Sequence, residues 1–313
     1  MSDNLAGPRI VVTGATGLVG TRLVAELELA GAQVIRAVRR PVSDPARELF
    51  WDPDQGKIDA TRLEGVDAVV HLAGENIAGG RWTESFKQRI RDSRVKGTRL
   101  LSEAIAGRAA KPQAFVCASA IGYYGDRGEE VLSESAPPAG DFLGQVCRDW
   151  EAACQPARDA AVRVVNLRIG VVLSPDGGAL KKMLTPFKLG VGGKIGDGRQ
   201  WMSWVALDDV VGAILFVLAK PPATADLRQA SGAVNVVAPR AVTNAEFTRT
   251  LGRVLSRPTI FPMPAFAARL AFGEMADALL LSSTRVVPQA LTAAGYQFRQ
   301  PELEPALRHL LGK

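Results

Sequence analysis

Short apolar segments alternate with amphipathic segments along most of the chain. Arg9 to Thr13 is a β-branched run that ends at a glycine turn, and Thr21 to Leu29 then has apolar residues at helical spacing. The same alternation continues through the sequence. It predicts strands at 33–38, 67–72, 114–118, 162–168 and 233–237, and helices at 84–106, 144–157 and 243–255.

Strands that are apolar throughout and are separated by helices indicate a parallel sheet covered on both faces. We therefore predict an α/β fold, with a Rossmann-type doubly wound parallel sheet in residues 1–170 that later segments complete. After residue 170, glycine- and proline-bearing loops surround short helices, which indicates a smaller substrate-side α/β region over 171–313. Its proline-flanked apolar stretch predicts a helical cap over about 255–302.

Three glycines follow the first predicted strand in the pattern Gly14-x-x-Gly17-x-x-Gly20. Between a strand and a helix, such glycines permit a tight turn, close approach of a pyrophosphate and close packing of the helix. The N–H groups and dipole of the helix N-terminus would then face the phosphates, so we expect a dinucleotide site, with a purely structural turn as the alternative. The expected contacts are Gly14, Thr16, Gly17, Leu18 and Val19.

The end of the second predicted strand indicates which dinucleotide binds. About 20 residues after the glycines, where an acidic residue would bind the ribose of NAD, the chain has Val38-Arg39-Arg40. Guanidinium groups can hold a 2′-phosphate through paired hydrogen bonds. We therefore expect NADP(H) as the cofactor, with Arg39 and Arg40 as contacts; the alternative is that both are ordinary surface arginines.

Composition and charge narrow the class of protein. The fractions of 47% hydrophobic and 22% charged residues are typical of a globular chain, and no apolar run reaches the roughly 20 residues that cross a bilayer, so we expect no membrane partner. Asp3 and the lack of an apolar segment before Arg9 indicate no secretory signal and a cytoplasmic protein. The net charge of +6 is scattered, which favours a phosphate-bearing small molecule over nucleic acid as partner.

Neither the cysteines nor the histidines form a metal-binding pattern. The chain has three cysteines and two histidines, His71 and His309, without Cys-x-x-Cys or zinc-type spacing. We therefore expect no metal site.

Several motifs resemble one protein family. The string Thr13 to Gly20, the strand end His71 to Gly74 and the segment Ser119 to Gly125 resemble the extended short-chain dehydrogenase/reductase superfamily of sugar-nucleotide epimerases and dehydratases. Further motifs resemble its atypical "epimerase family" subgroup, including the subgroup's C-terminal domain of unknown function. They include Glu75-Asn76-Ile77, Ser93-Arg94, Pro186-Phe187, Thr243 to Phe247, Pro262-Met263-Pro264 and Gly273-Glu274-Met275. The resemblance covers nearly the whole chain.

The resemblance implies further cofactor contacts and a class of partner. Leu72, Ala73 and Gly74 match the strand end on the adenosine side of the cofactor, and Arg94 replaces an asparagine that is usual on the following helix. Lysines between 181 and 194 lie where relatives contact a ligand diphosphate, so the substrate is expected to be a small molecule that could be phosphorylated. Relatives often pair through two long helices, which here would be 84–106 and 144–157, so a homodimer is one expected arrangement.

The usual catalytic set of the superfamily is missing. Its Ser/Thr, Tyr and Lys positions fall at Ala120, Leu143 and Cys147 in this chain, and none of these residues transfers a proton in the same way. The remaining candidates are Ser119, one residue before the expected position, and two phenols just past the same strand. These phenols are Tyr123 and Tyr124. Cys147 is a further candidate if Arg148 or the cofactor lowers the pKa of its thiol; the alternative is a buried, inert cysteine.

Two functions therefore remain open. One is an NADP(H)-dependent oxidoreductase or epimerase with a non-standard acid/base group, acting on a nucleotide sugar or another small carbonyl or hydroxyl compound. The other is a catalytically silent sensor or regulator that binds NADP(H).

Overall fold

The computed structural model describes residues 7–219 and 232–313. Its strands are β1 (Arg9–Thr13), β2 (Gln33–Val38), β3 (Glu48–Asp52), β4 (Lys57–Ile58), β5 (Ala68–His71), β6 (Ala114–Ala120), β7 (Val131–Leu132), β8 (Arg163–Ile169), β9 (Val171–Leu173), β10 (Trp201–Met202), β11 (Trp204–Ala206), β12 (Gly232–Val236), β13 (Val242–Thr243) and β14 (Arg285–Val286). Its helices are α1 (Leu18–Leu29), α2 (Glu84–Ala106), α3 (Phe142–Ala152), α4 (Gln155–Asp159), α5 (Gly178–Lys188), α6 (Leu207–Leu218), α7 (Asn244–Leu255), α8 (Ala265–Phe272), α9 (Glu274–Ala276), α10 (Gln289–Ala293) and α11 (Leu303–Leu311). One-turn helices lie at Ala60–Leu63, Ile121–Tyr123 and Asp277–Leu281.

Eight strands form the central sheet in the order β12-β8-β6-β5-β1-β2-β3-β4. All neighbours pair in parallel except β3 and β4, which are antiparallel. The strand order reverses between β1 and β5, and open α/β sheets bind ligands in the crevice at such a switch point. The prediction of a doubly wound Rossmann-type sheet is therefore confirmed, and β12 adds to it from beyond residue 170.

Helices cover both faces of the sheet, because successive strand residues point to opposite sides. Ile10 and Val12 pack with α1 and α6 on one face, whereas Val11 packs with α2 and the residues of α3 and α4 on the other. A third cluster around buried Trp204 joins α5, α7 and α11. This cluster forms a separate core in the part of the chain after residue 170.

Three local features differ from the sequence-based expectation. The predicted helix 144–157 is divided into α3 and α4, because Pro156 in the first turn of α4 restricts the residue before it and favours a new helix start. Strand β3 was not predicted, because its polar ends at Glu48 and Asp52 concealed a buried strand. The predicted cap over 255–302 contains strand β14, which pairs with β7, and α11 lies beyond it.

Among the helices of residues 7–219 and 232–313, none combines the length and the apolar character that crossing a bilayer requires.

Candidate functional site

The glycine turn has the backbone geometry that requires glycine. Gly14 adopts φ +67°, and a Cβ there would lie 2.8 Å from the backbone N of Ala73. A Cβ on Gly20 would lie 2.1 Å from the carbonyl oxygen of Gly14, so α1 packs directly on the turn. Both positions therefore exclude a side chain, and the start of α1 is held against the ends of β1 and β5.

The N-terminus of α1 is open to an anion. Gly17 is the N-cap and provides no side chain to accept from the N–H groups of the first turn, which contains no acidic residue. Thr16 and Gly17 are exposed, and Leu18 and Val19 follow as the first helical residues. Free N–H groups and the helix dipole at such an end stabilise a phosphate. The geometry fits the expected pyrophosphate contacts.

The two arginines after β2 have different surroundings. Arg40 forms a paired contact with Glu48 on β3, at 2.5 and 3.0 Å, and this bond lowers the pKa of Glu48 to about 2. Arg39 is exposed and, within residues 7–219 and 232–313, forms no side-chain hydrogen bond or ion pair. Arg39 is therefore available for a ligand phosphate, whereas Arg40 is already bound to a carboxylate.

The ends of β1 and β5 are joined by Thr13 and His71, both fully buried. The Thr13 hydroxyl accepts from the backbone N–H groups of Leu72 and Ala73 and lies 2.6 Å from Nδ1 of His71. Because its lone pairs are occupied in this way, the hydroxyl donates to Nδ1, which leaves the hydrogen of the neutral ring on Nε2. This link orients the backbone at the switch point of the sheet.

Arg94 lies against the same strand end. A Cβ on Gly74 would be 3.5 Å from its guanidinium carbon, which also lies 5.0 Å from the ring centre of Trp150. Its Nη1 donates to the carbonyl of Ile90, and no carboxylate among the described residues forms an ion pair with it. Burial lowers the pKa of Arg94. A partly buried cation that forms no direct ion pair with a described residue, beside the predicted cofactor site, fits an anionic or polar ligand group.

Ser119 belongs to a buried charged network at the carboxyl end of β6. Its hydroxyl donates to Glu151 on α3 over 2.8 Å, and Arg168 on β8 donates to both carboxylate oxygens of Glu151 at 2.8 and 2.9 Å. Arg168 is 4% exposed. Burial opposes its charge, but the bond to Glu151 outweighs this effect and raises the pKa of Arg168. The network holds a carboxylate beside Ser119.

The two phenols have different surroundings. Tyr124 is fully buried, donates to Asn235 over 2.7 Å and accepts from Arg168 over 3.0 Å. Burial raises the pKa of Tyr124 to about 12. Tyr123 is half-buried, and the guanidinium carbon of Arg168 lies 3.4 Å from the centre of its ring. Its hydroxyl forms no hydrogen bond with a described residue. The geometry therefore favours Tyr123 over Tyr124 for contact with a ligand.

Helix α3 carries Leu143 and Cys147, the positions at which the sequence motifs predict the catalytic Tyr and Lys of the superfamily. It packs on the turn after β6, since a Cβ on Gly122 would lie 3.3 Å from the Cβ of Leu143. Cys147 is buried, and burial together with Glu151 raises the pKa of its thiol to about 12. The two positions that the sequence motifs assign to the catalytic Tyr and Lys therefore hold an aliphatic side chain and a neutral thiol.

Sequence reasoning missed Glu151 and Arg168 as site residues. Arg168 interrupts the buried strand Arg163–Ile169, and a charged residue within a buried strand needs a partner. That signal was present in the sequence. The identity of the partner was not, because Glu151 lies on a helix and reaches Arg168 only through the packing of α3 on the sheet.

Helix α5 and the residues before it lie close to the glycine turn and to the loop after β5. A Cβ on Gly177 would lie 3.1 Å from Leu18, and Lys182 on α5 donates to the carbonyl of Ala78 over 3.1 Å. The start of α5 therefore lies against the first turn of α1, and α5 contacts the loop after β5. Within the described parts of the chain, no group of three or more His, Cys, Asp or Glu side chains could hold a metal ion.

Comparisons with known proteins identify the family of the chain. Residues 10–236 match the model of the NAD dependent epimerase/dehydratase family, and residues 263–310 match a domain of unknown function, DUF1731. An epimerase family protein of Mycobacterium bovis is 44% identical over 303 residues, which is 97% of each chain.

Two solved structures extend the comparison. The human epimerase family protein SDR39U1, crystallised with NADPH, superposes with a TM-score of 0.87 at 35% identity, covering 97% of this chain and 99% of that one. A nucleoside-diphosphate sugar epimerase from Corynebacterium glutamicum superposes with a TM-score of 0.78 at 38% identity, covering 98% of this chain and 58% of that one. These similarities confirm the family that the motifs indicated: the chain belongs to the NAD dependent epimerase/dehydratase family and carries a C-terminal DUF1731 domain.

Proposed function

We propose that the chain is an NADP(H)-dependent oxidoreductase or epimerase that acts on a nucleotide sugar or another small carbonyl or hydroxyl compound. The observation that carries the cofactor assignment is the uncapped N-terminus of α1 together with exposed Arg39, which follows β2 and pairs with no residue in the part of the chain that the structure describes. The human relative crystallised with NADPH supports the same assignment.

Each part of the cofactor has residues that fit it. The first turn of α1 would hold the pyrophosphate through its N–H groups, and Arg39 would hold the 2′-phosphate. The backbone of Leu72 to Gly74 would lie along the nucleoside, and Arg94 beside it would supply a cation to the ribose or the pyrophosphate. When bound, the cofactor supplies or accepts a hydride. The residues of the chain bind it, orient it and exclude water.

Proton transfer would rest on Tyr123 and Ser119. The hydroxyl of Tyr123 forms no hydrogen bond with a described residue and can donate to a substrate oxygen, while the guanidinium of Arg168 packs over its ring and fixes its position. Ser119 donates to Glu151 and therefore presents its oxygen as an acceptor to a substrate hydroxyl. Tyr124 would have a structural role, because its hydroxyl is bound on both sides.

The sensor remains the second candidate. Neither Leu143 nor the protonated thiol of Cys147 can do the work of the Tyr and Lys of relatives. These two residues therefore favour a protein that binds the cofactor without turning over a substrate.

The cofactor proposal is tested by titrating cofactor-free protein with NADPH and with NADH while the fluorescence of the bound nucleotide is recorded. Arg39→Ala should weaken NADPH binding about ten- to hundredfold, as expected for the loss of a charge-assisted phosphate contact, and should leave NADH binding nearly unchanged. Arg36→Ala is the matched control, since Arg36 lies on β2, three residues before Arg39, and pairs with Glu28. Equal binding of both nucleotides by the wild type would refute the assignment of Arg39.

The catalytic proposal is tested by single-turnover oxidation of bound NADPH against a panel of carbonyl and nucleotide-sugar compounds. Tyr123→Phe should lower the rate about 10²- to 10⁴-fold with cofactor binding intact, and Ser119→Ala should also slow it. Tyr296→Phe is the control, because the Tyr296 hydroxyl bonds to Asp209 on α6. Tight NADPH binding without turnover on any compound would favour the sensor.

A further inference from the structure

Exposed large apolar side chains are concentrated on one part of the surface. Of the nine in the described residues, seven lie within 189–191 and 260–270. They are Leu189, Val191, Ile260, Phe261, Met263, Phe266 and Leu270, which we call the apolar face. Single exposed apolar residues are ordinary, but a group of this size marks an interaction surface.

The two segments of the apolar face are joined through their backbones. The N–H of Met263 donates to Lys194 over 2.8 Å, and the N–H of Gly196 donates to Met263 over 2.9 Å. Arg257 donates to the carbonyl of Lys188 over 2.9 Å. Helix α8 follows directly, and its Phe266 and Leu270 are four residues apart and so share one side of the helix. Leu270, at 78%, is the most exposed of the seven.

The charges on these segments have a single sign. Residues 178–196 and 256–272 contain no Asp or Glu, and they contain six basic residues. These are Lys181, Lys182, Lys188, Lys194, Arg257 and Arg269. All six are exposed, and within residues 7–219 and 232–313 only Arg269 forms an ion pair, with Asp277. The apolar face is thus bordered by cations that other side chains leave largely uncompensated.

We propose that the apolar face docks on the surface of an anionic lipid bilayer. Large apolar side chains beside unpaired Lys and Arg are the combination that enters the headgroup region while cations contact lipid phosphates. A second copy of the chain is less suitable, because two-fold contact through this face would bring like charges together. The absence of a spanning helix does not bear on peripheral binding. The proposal departs from the sequence-based expectation of no membrane partner, which rested on spanning segments.

Co-sedimentation with vesicles tests this binding. We expect the full chain to pellet with vesicles in which about a quarter of the lipid is phosphatidylglycerol, and to remain in solution with phosphatidylcholine alone. The double variants Phe266→Ser/Leu270→Ser and Lys188→Glu/Lys194→Glu should each bind at least about tenfold more weakly. All four side chains are exposed, so circular dichroism should show the folded state unchanged.

Matched controls separate the apolar face from general hydrophobicity and charge. Leu29→Ser removes a side chain that is 85% exposed on α1, and Lys111→Glu reverses an exposed cation elsewhere. Both controls should bind like the wild type. Failure of the wild type to bind anionic vesicles would overturn the proposal, as would undiminished binding by both double variants. A dimer in light scattering that Phe266→Ser/Leu270→Ser abolishes would instead assign the face to a second copy.

Discussion

His71 makes the stability of the fold depend on pH in a range where few other groups titrate. The ring is fully buried at the end of β5, accepts a hydrogen bond from Thr13, and has no partner at Nε2 among the described residues. Burial, with a smaller effect of nearby Arg94, lowers the pKa of His71 to about 3. The ring is neutral in the folded state at every pH of interest.

The magnitude follows from the difference between the folded and the unfolded pKa. Between about pH 3 and pH 6.5, the ordinary pKa of a histidine, the unfolded chain binds a proton that the folded chain does not, so the free energy of unfolding falls as the pH falls. Each pH unit well inside this range costs about 1.4 kcal/mol. Between pH 7.5 and pH 5.0 the loss is about 2 kcal/mol, because the unfolded histidine takes up its proton only below its own pKa, so that about 1.5 of these pH units contribute fully.

Urea unfolding at the two pH values measures this loss, and the chain offers a matched control. His71→Phe keeps a ring that packs near Trp51 and Phe115, loses the Thr13 hydrogen bond at both pH values, and removes the titration. His309→Gln removes the other of the two histidines. Wild type and His309→Gln should lose about 2 kcal/mol on acidification, and His71→Phe much less. Equal losses in wild type and His71→Phe would refute the reasoning.

Three further predictions concern packing at the site. Gly20→Ala places a Cβ 2.1 Å from the Gly14 carbonyl, so thermal unfolding should show a loss of about 1–3 kcal/mol, and an unchanged midpoint would contradict the close packing of α1. Arg168→Met leaves the carboxylate of Glu151 buried without its cation and should cost about 3–5 kcal/mol in urea unfolding, part of which the added Glu151→Gln should restore. Tyr124→Phe removes a hydroxyl from two buried partners and should cost about 1–3 kcal/mol; a neutral result would indicate that this hydroxyl is not structural.

Most of the fold was predictable because its signals are local. A buried parallel strand is a short apolar run, and an amphipathic helix such as α2 shows its period within a few turns, so Glu84–Ala106 has the predicted bounds. The glycine turn carries its own geometric requirement at Gly14. Strand β3 escaped prediction because two of its residues are polar and its burial depends on pairing with β2.

The site was predictable only in part. The glycine turn and Arg39 follow from position along the chain, since the first βα unit and the end of β2 have defined distances from the cofactor. The sequence does not show that Arg40 is paired and Arg39 is not, because the partner of Arg40 is Glu48 on the unpredicted strand β3. The contrast between Tyr123 and Tyr124 depends on Asn235 and Arg168, which reach Tyr124 from two other strands.

The sequence by itself determined the class of fold, the dinucleotide turn and the family, because each rests on residues close together in the chain. Tertiary structure alone decided which polar groups are free. Ser119, Glu151 and Arg168 come from β6, α3 and β8, and only the packing of these elements makes them one network. The physical reason is that burial and pairing, which set the charge state and the availability of a side chain, are properties of its neighbours in space.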